Sequence, residues 1–256
     1  MRTFAVVAAA LLALVAARPD AQRSAGGEPL RVLSSNGIRV AIERLLPDAE
    51  RAIGRRVAIR FSSSVALAQA IEMGEAFDVA ILTPELVDAQ IRGGRMRAGT
   101  RTDLAAIELA VGVRAGAPKD DVSTPDAIRR RLRAARSLTW TEGGAASAAN
   151  FAMLDALGIR DELAARIVLQ RVPGTAAETV ARGDHELVLL PLSEILHVPG
   201  VAVLGVLPAP FQRPVVMTAG IGARAHAPAA AADLVAFLRS AAAARVLEAA
   251  GMTPTR

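Results

Sequence analysis

The chain has 256 residues, with 30 Lys and Arg against 25 Asp and Glu, a formal net charge of +5 and no cysteine. Without cysteine it can form neither a disulfide nor a cysteine-linked lipid anchor, so its stability must come from its core. The positive charge does not indicate nucleic-acid binding, because the arginines are scattered and aromatic residues, on which bases would stack, make up only 3% of the chain.

A short targeting segment is predicted at the N-terminus. An uninterrupted apolar run, residues 4–17, follows a positive charge and is followed by further charge and a proline. This run is shorter than the ~20 apolar residues of a membrane-spanning helix, and its flanks are typical of a secretory signal peptide. We therefore expect a signal peptide in residues 1–21, cleaved after Ala17 or Ala21, a disordered lead-in over residues 22–29, and a periplasmic mature protein. An uncleaved anchor is the alternative.

Strand-like and helix-like segments alternate through the rest of the chain. In the first half, the predicted strands are residues 30–33, 57–61 and 78–82 with a longer apolar run at 104–113, and the predicted helices are residues 38–46 (broken or restarted at Pro47), 65–73 and 84–91. In the second half, the predicted strands are residues 138–141, 167–171, 187–190, 201–206 and 215–221, and the predicted helices begin at Pro125, at Ser147, at Thr175 (a capping box with Glu178) and at Pro228, the last running to residue 250. This alternation predicts an α/β fold with mostly parallel sheets flanked by helices.

The alternation divides into two series, which predicts two lobes. The first series breaks off near Val113, and the last strand and helix are expected to return to the first lobe. We therefore expect lobe I to comprise residues 30–112 and 213–256, and lobe II residues 113–212. Two connections between lobes form a hinge, with the ligand cleft at the hinge. A single continuous doubly wound domain is the alternative.

Serines follow the first two predicted strands, each time just before a helix. Ser34 and Ser35 follow the first strand, and Ser62, Ser63 and Ser64 follow the second. Hydroxyl groups and unpaired backbone N–H groups at the beginning of a helix suit a small anion, because this end of the helix carries partial positive charge. Serine is also a common helix N-cap. For each serine segment taken alone, both interpretations are open, and the occurrence of two such segments favours a binding site.

The sequence contains none of the catalytic or metal-binding patterns that we sought. His185, His197 and His226 have no metal-ligand spacing, and neither a Gly-x-Ser-x-Gly elbow nor a phosphate-binding loop occurs. We therefore expect no metal, no cofactor and no enzymatic activity. Trp140, at the end of a predicted strand, is expected either in the wall of the cleft or in the core.

These segments, in this order, resemble the molybdate-binding family of periplasmic solute-binding proteins, which serve ABC importers. The likeness covers nearly all of the mature chain and is carried by residues 31–35, 61–74, 78–81, 143–149, 156–159, 192–195 and 237–252. The resemblance implies a two-lobed type II periplasmic binding protein fold. It also implies an oxyanion, such as molybdate or tungstate, held between the lobes.

The resemblance further implies which residues bind the ligand. In that family, two serines, backbone N–H groups of the second lobe and a tyrosine hydroxyl hold the oxyanion. The tyrosine position falls on Pro191, and one backbone donor falls near Pro173, which has no N–H group. The predicted ligand-binding residues are Ser34 or Ser35, Ser63 (with Ser62 or Ser64 as alternatives), Ala146 with Ser147, and Gly174 with Thr175 in place of Pro173.

Three functions remain open. The first is a monomeric periplasmic protein that captures a small oxyanion and passes it to the membrane permease of an ABC importer, with no nucleic acid involved. The second is the same protein binding a small organic anion, with Arg39 or Arg213 as counter-charge, because the tyrosine is missing. The third is an exported enzyme on the same scaffold, which is supported only by analogy at the level of the fold.

Overall fold

The computed structural model describes residues 27–255, so the predicted signal peptide and most of the lead-in lie outside the described residues. The strands are β1 (Leu30–Ser35), β2 (Val57–Ser62), β3 (Val79–Leu82), β4 (Thr102–Ile107), β5 (Leu109–Arg114), β6 (Leu138–Thr141), β7 (Ile167–Gln170), β8 (Leu187–Pro191), β9 (Val201–Val206), β10 (Val215–Ile221) and β11 (Thr253–Pro254). The α-helices are α1 (Arg39–Ile53), α2 (Ser64–Glu72), α3 (Pro84–Arg92), α4 (Pro125–Ala134), α5 (Ser147–Ala156), α6 (Arg160–Leu163), α7 (Ala176–Arg182), α8 (Pro228–Leu238) and α9 (Ala241–Ala249). Within the described residues, none of these helices has the length and apolar character to cross a bilayer.

The strands form two sheets, one in each lobe, which confirms the two-lobed α/β fold. The first sheet has the order β11-β4-β10-β3-β1-β2, and the second the order β7-β6-β8-β5-β9. The chain crosses between the sheets from β4 to β5 and returns from β9 to β10. Because β5 pairs with β8 and β9, the first crossing lies at Glu108, and the boundary expected after residue 112 falls inside a strand of the second lobe.

Both sheets are mixed rather than mostly parallel. The βαβ units give parallel pairs, β1 with β2 and β3, and β6 with β7 and β8. Strands next to the crossings are antiparallel to their neighbours, namely β10 beside β3 and β4, and β5 beside β8 and β9. These strands enter their sheet from the other lobe, so their direction is set by the hinge and not by a crossover helix.

Two predicted helices end elsewhere than expected. Helix α1 continues through Pro47 to Ile53, because its buried apolar face extends past the proline and compensates for the single hydrogen bond that proline cannot donate. The predicted C-terminal helix is divided into α8 and α9. Its interruption lies at Ser240, whose hydroxyl oxygen caps α9 by accepting from the Ala243 N–H at 3.2 Å.

The hinge is buried and hydrogen-bonded. Ile107 and Leu109, on either side of the first crossing, are both buried and belong to a core cluster that runs through both lobes. The side chain of Gln212, in the second crossing, accepts from the Leu109 N–H at 2.8 Å and donates to the Leu109 carbonyl at 3.1 Å and the Leu207 carbonyl at 3.3 Å. The two connections are therefore joined to each other.

Candidate functional site in the cleft between the lobes

A small cavity lies between the lobes, and both lobes contribute to its wall. Its lining comprises Ser35, Asn36 and Ser63 from the first lobe and Trp140, Thr141, Gly144, Ala145, Ala146, Ser147, Leu190, Pro191 and Glu194 from the second. The cavity measures about 10 Å³, close to the space that one water molecule requires. The lobes are thus closed on each other, and a larger ligand has to enter through their separation.

The first-lobe serines of the cavity are helix caps, but they keep a free proton. The Ser35 hydroxyl oxygen accepts from the Gly37 N–H at 3.4 Å, and the Ser63 hydroxyl oxygen accepts from the Ala66 N–H at 3.2 Å at the beginning of α2. A serine hydroxyl has one donor and two acceptor positions. Capping therefore leaves each O–H able to donate to a ligand. The helix-cap interpretation and the binding-site interpretation of these serines are compatible.

Ser34 and Ser64 lie behind this surface and do not line the cavity. Ser34 is buried, and its hydroxyl donates to the Ser35 carbonyl at 3.3 Å. Ser64 begins α2, and its buried hydroxyl has no hydrogen-bond partner among the described residues. Of the first-lobe serines predicted to bind the ligand, the structure brings Ser35 and Ser63 to the cavity.

The second lobe presents the beginning of α5 to the cavity. Ala146 and Ser147 line it, together with Ala145, and within residues 27–255 the N–H groups of Ala145 and Ala146 have no acceptor. The Trp140 indole N–H donates to the Ser147 hydroxyl oxygen at 3.2 Å, so the Ser147 proton is also free. Trp140 is both fully buried and part of the cavity wall, which combines its two predicted positions.

Thr141 is a cavity residue that sequence reasoning missed. It ends β6, is 5% exposed, and its hydroxyl has no hydrogen-bond partner among the described residues. A buried hydroxyl without a partner costs about 1–3 kcal/mol. A Cβ at Gly144 would lie 3.0 Å from the Thr141 carbonyl oxygen, so the glycine allows the loop to fold over it. The sequence feature that could have indicated Thr141 is a polar residue at the end of a strand, shortly before a Gly-Gly pair.

Glu194 is the second missed residue and the one ionisable side chain in the cavity lining. It lies half-buried on the 3-10 turn Leu192–Glu194, directly after β8. Desolvation raises the pKa of the Glu194 carboxyl from 4.5 to about 7. Near neutral pH, this group can therefore either donate or accept a proton. The turn belongs to the segments that carried the family resemblance, but nothing in the sequence alone gave its acid a role.

The remaining predicted ligands lie outside the cavity lining. Gly174 is near its rim, where an added Cβ would lie 3.8 Å from the Asn36 amide nitrogen. The Thr175 hydroxyl donates to the Val172 carbonyl at 2.8 Å, so the predicted capping box with Glu178 does not form.

The two arginines suggested as counter-charges are engaged elsewhere. Arg39 pairs with Glu43 at 2.8 Å and lies over the ring of Phe61. Arg213 donates to carbonyl groups of its own loop. The cavity lining contains no cationic side chain. Within the described residues there is also no cluster of three or more His, Asp or Glu side chains that could hold a metal ion.

The sequence matches a known family. Residues 30–253 match the model of the bacterial extracellular solute-binding proteins. The chain belongs to this family. In structure it is similar to the periplasmic molybdate-binding protein of Azotobacter vinelandii, with a TM-score of 0.75 and 22% identity over 89% of this chain and 100% of that one. It is also similar to the sulfate-binding protein SubI of Mycobacterium tuberculosis H37Rv, with a TM-score of 0.72 and 15% identity over 90% of this chain and 88% of that one.

One relative changes the functional expectation. An aconitate isomerase of Pseudomonas sp. is 28% identical over 230 residues, which cover 88% of this chain and 87% of the relative. The resemblance stated from the sequence is confirmed for the solute-binding family and its two-lobed fold. The expectation that the chain has no enzymatic activity is contradicted by this relative, which carries the name of an enzyme. The patterns considered in the sequence describe metal, nucleophile, nucleotide and paired-carboxylate sites, and a single acid in a cleft matches none of them.

Proposed function

We propose that this solute-binding protein captures a small organic anion with carboxylate groups in the cleft between its lobes. The observation that carries the proposal is the unpaired, buried Thr141 hydroxyl beside the free N–H groups of Ala145 and Ala146. Hydroxyl groups from the other lobe, those of Ser35 and Ser63, line the same cavity. Uncharged donors from both sides suit an anion that enters while the lobes are open and is then contacted by both lobes.

The beginnings of two helices strengthen this site electrostatically. Helices α2 and α5, of nine and ten residues, both begin at the cavity. A helix N-terminus carries roughly half a positive charge and unpaired N–H groups, which together bind anions without a cationic side chain. Each hydrogen bond to a charged ligand contributes about 1.5–3 kcal/mol.

Two substitutions favour a carboxylate over a tetrahedral oxyanion. Pro191 lines the cavity at the position of the tyrosine ligand in the molybdate-binding family, and Pro173 provides no N–H group. The relative named aconitate isomerase, which is more similar in sequence than the molybdate-binding neighbour, takes a tricarboxylate by its name. A molybdate- or tungstate-like ligand stays the alternative, supported by Ser35, Ser63 and Ala146 in the lining.

A second candidate function is isomerisation of an unsaturated carboxylate such as aconitate. Glu194 favours it, because an isomerase needs a group that takes a proton and returns it, and Glu194 is the ionisable side chain of the cavity. The name of the Pseudomonas relative points the same way. Binding for transport and isomerisation are compatible, since both require the anion in the same cleft. For transport, the partner is the membrane permease of an ABC importer, and the protein acts as a periplasmic monomer after removal of its signal peptide.

Calorimetric titration of the purified mature protein tests the ligand class. The panel comprises cis-aconitate, trans-aconitate, citrate, molybdate, tungstate and sulfate. We expect micromolar or tighter binding of at least one carboxylate and clearly weaker binding of the inorganic oxyanions. Preferential binding of molybdate or tungstate would overturn the carboxylate assignment but keep the anion site, whereas no heat with any anion would overturn the site itself.

A further inference from the structure

The turn that carries Glu194 lies at the point where the two lobes meet. The neighbouring Ser193 donates a 2.6 Å hydrogen bond to the Gly37 carbonyl of the first lobe. At the other end of the same turn, the Leu192 N–H donates to the carbonyl of Glu108, the residue at the first crossing, at 2.8 Å. An added Cβ at Gly37 would lie 3.7 Å from the Glu194 carboxyl, which places this carboxyl against the first lobe. The turn that carries Glu194 is therefore fixed relative to both lobes.

Glu194 differs from the acids that stabilise this fold. Asp78, which is fully buried, accepts hydrogen bonds from the N–H groups of Arg31 and His226. Burial raises the pKa of the Asp78 carboxyl, but these bonds and the charge of His226 outweigh burial and lower it below its ordinary value. The Glu194 side chain makes no hydrogen bond and no ion pair with any described residue. A half-buried acid in the cavity wall that has no hydrogen-bond partner adds no bond to the fold, so its presence there calls for a different explanation.

We propose that Glu194 is a catalytic residue that moves a proton between two carbon atoms of a bound unsaturated carboxylate. This inference rests on the proposed function, in that the ligand has to be a carboxylate held in the cleft. The Glu194 carboxylate removes a proton from a methylene carbon that lies between a carboxylate and a C=C bond. The electron pair of that C–H bond forms a new C=C bond to the neighbouring alkene carbon. The π electrons of the original C=C bond move to its other carbon and there take up the proton from Glu194. The double bond has moved by one position, Glu194 is again ionised, and no oxidant or second reactant is consumed.

The rest of the cavity is suited to the intermediate of this transfer. Removal of the proton leaves a dienolate, whose negative charge spreads onto the neighbouring carboxylate. The Thr141 hydroxyl and the N–H groups of Ala145 and Ala146, which have no partner within the described residues, can donate to that charge. Preorganised donors of this kind are the usual means of stabilising an enolate in a water-poor site. No other ionisable side chain lines the cavity, so no second residue competes for the proton.

Deuterium exchange tests the inference. The mature protein is incubated with trans-aconitate in D₂O, and proton NMR follows the methylene signal and the appearance of cis-aconitate. We expect cis-aconitate to form, with deuterium at the methylene position to the extent that the Glu194 proton exchanges with solvent before its return. We also expect kcat/KM to rise with pH through about 7, as an ionised base requires. Glu194→Gln, of the same shape, is expected to lower both rates at least ~100-fold while calorimetric binding persists. Glu194→Asp, which keeps a carboxylate, is expected to retain measurable exchange.

The matched control is Glu178→Gln, which neutralises an exposed acid on α7 outside the cavity and is expected to react like wild type. If wild type binds trans-aconitate but neither isomerises it nor exchanges deuterium, or if Glu194→Gln isomerises it as fast as wild type, the inference is wrong and the binding function stands. If trans-aconitate does not bind at all, the carboxylate assignment fails and the inference fails with it.

Discussion

The Ser193 hydroxyl of the second lobe donates a 2.6 Å hydrogen bond to the Gly37 carbonyl of the first lobe. Both residues are buried, and both lie next to cavity residues, Glu194 on one side and Asn36 on the other. This bond exists only while the lobes are in contact. It therefore stabilises the closed state relative to the open state, and it does so at the wall of the binding site.

Removal of this bond is expected to weaken ligand binding without abolishing it. Ser193→Ala loses one buried hydrogen bond of the closed state, about 0.5–1.5 kcal/mol, which corresponds to roughly a 2- to 12-fold higher Kd. Small-angle scattering of the ligand-free variant should also show a larger radius of gyration than that of wild type. Equal Kd and equal radius would mean that the bond does not discriminate between open and closed lobes.

Two serine caps with the same geometry separate ligand binding from helix capping. Ser63 caps α2 at the cavity, and Ser240 caps α9 outside the cavity lining, each through a 3.2 Å hydrogen bond. Ser63→Ala and Ser240→Ala should each lower the free energy of unfolding by ~1 kcal/mol. Only Ser63→Ala should also raise the Kd of the anion, by roughly 10- to 150-fold. If both variants bind like wild type, Ser63 is a cap alone.

Because the pKa of Glu194 is raised, the stability of the folded protein is expected to decrease as pH rises. Between pH 4.5 and about 7, the folded protein keeps a proton that the unfolded chain releases, so the free energy of unfolding falls as pH rises through this window. Glu194→Gln removes this effect. At pH 8 the variant should be more stable than wild type by an amount on the order of 2–3 kcal/mol, and the gain should vanish near pH 4. Denaturant titrations at both pH values measure it, and a gain that is equal at both would contradict the assignment.

The hinge is expected to depend on Gln212. Gln212→Ala removes hydrogen bonds to both groups of Leu109 and to the Leu207 carbonyl, and it leaves the buried Leu109 N–H without a partner. The free energy of unfolding should fall by about 1–3 kcal/mol. The control is Gln69→Ala on the exposed face of α2, which should change stability by less than about 0.5 kcal/mol. Equal effects of the two substitutions would show that the bonds of Gln212 do not hold the connections together.

Local patterns in the sequence predicted the two lobes and part of the cavity wall. Ser35 and Ser63 could be predicted because a hydroxyl residue between a strand and a helix has a fixed local geometry. Thr141 and Glu194 could not be predicted, because what distinguishes them is that their side chains have no hydrogen-bond partner. Whether a side chain finds a partner depends on residues that are distant in the chain. The continuation of α1 through Pro47 has the same origin, since tertiary packing outweighs a local helix breaker. The antiparallel strands likewise follow from the hinge, which no single segment encodes.

Thr141→Val tests most directly whether an anion binds to uncharged donors in the cleft. Valine keeps the shape of threonine and removes only the unpaired hydroxyl. The control is Thr179→Val, in the same lobe, also 5% exposed, and outside the cavity lining. In calorimetric titrations with the tightest anion of the panel, Thr141→Val should raise the Kd roughly 10- to 150-fold without loss of stability, whereas Thr179→Val should leave the Kd unchanged. A Thr141→Val variant that binds the anion as tightly as wild type would contradict the account.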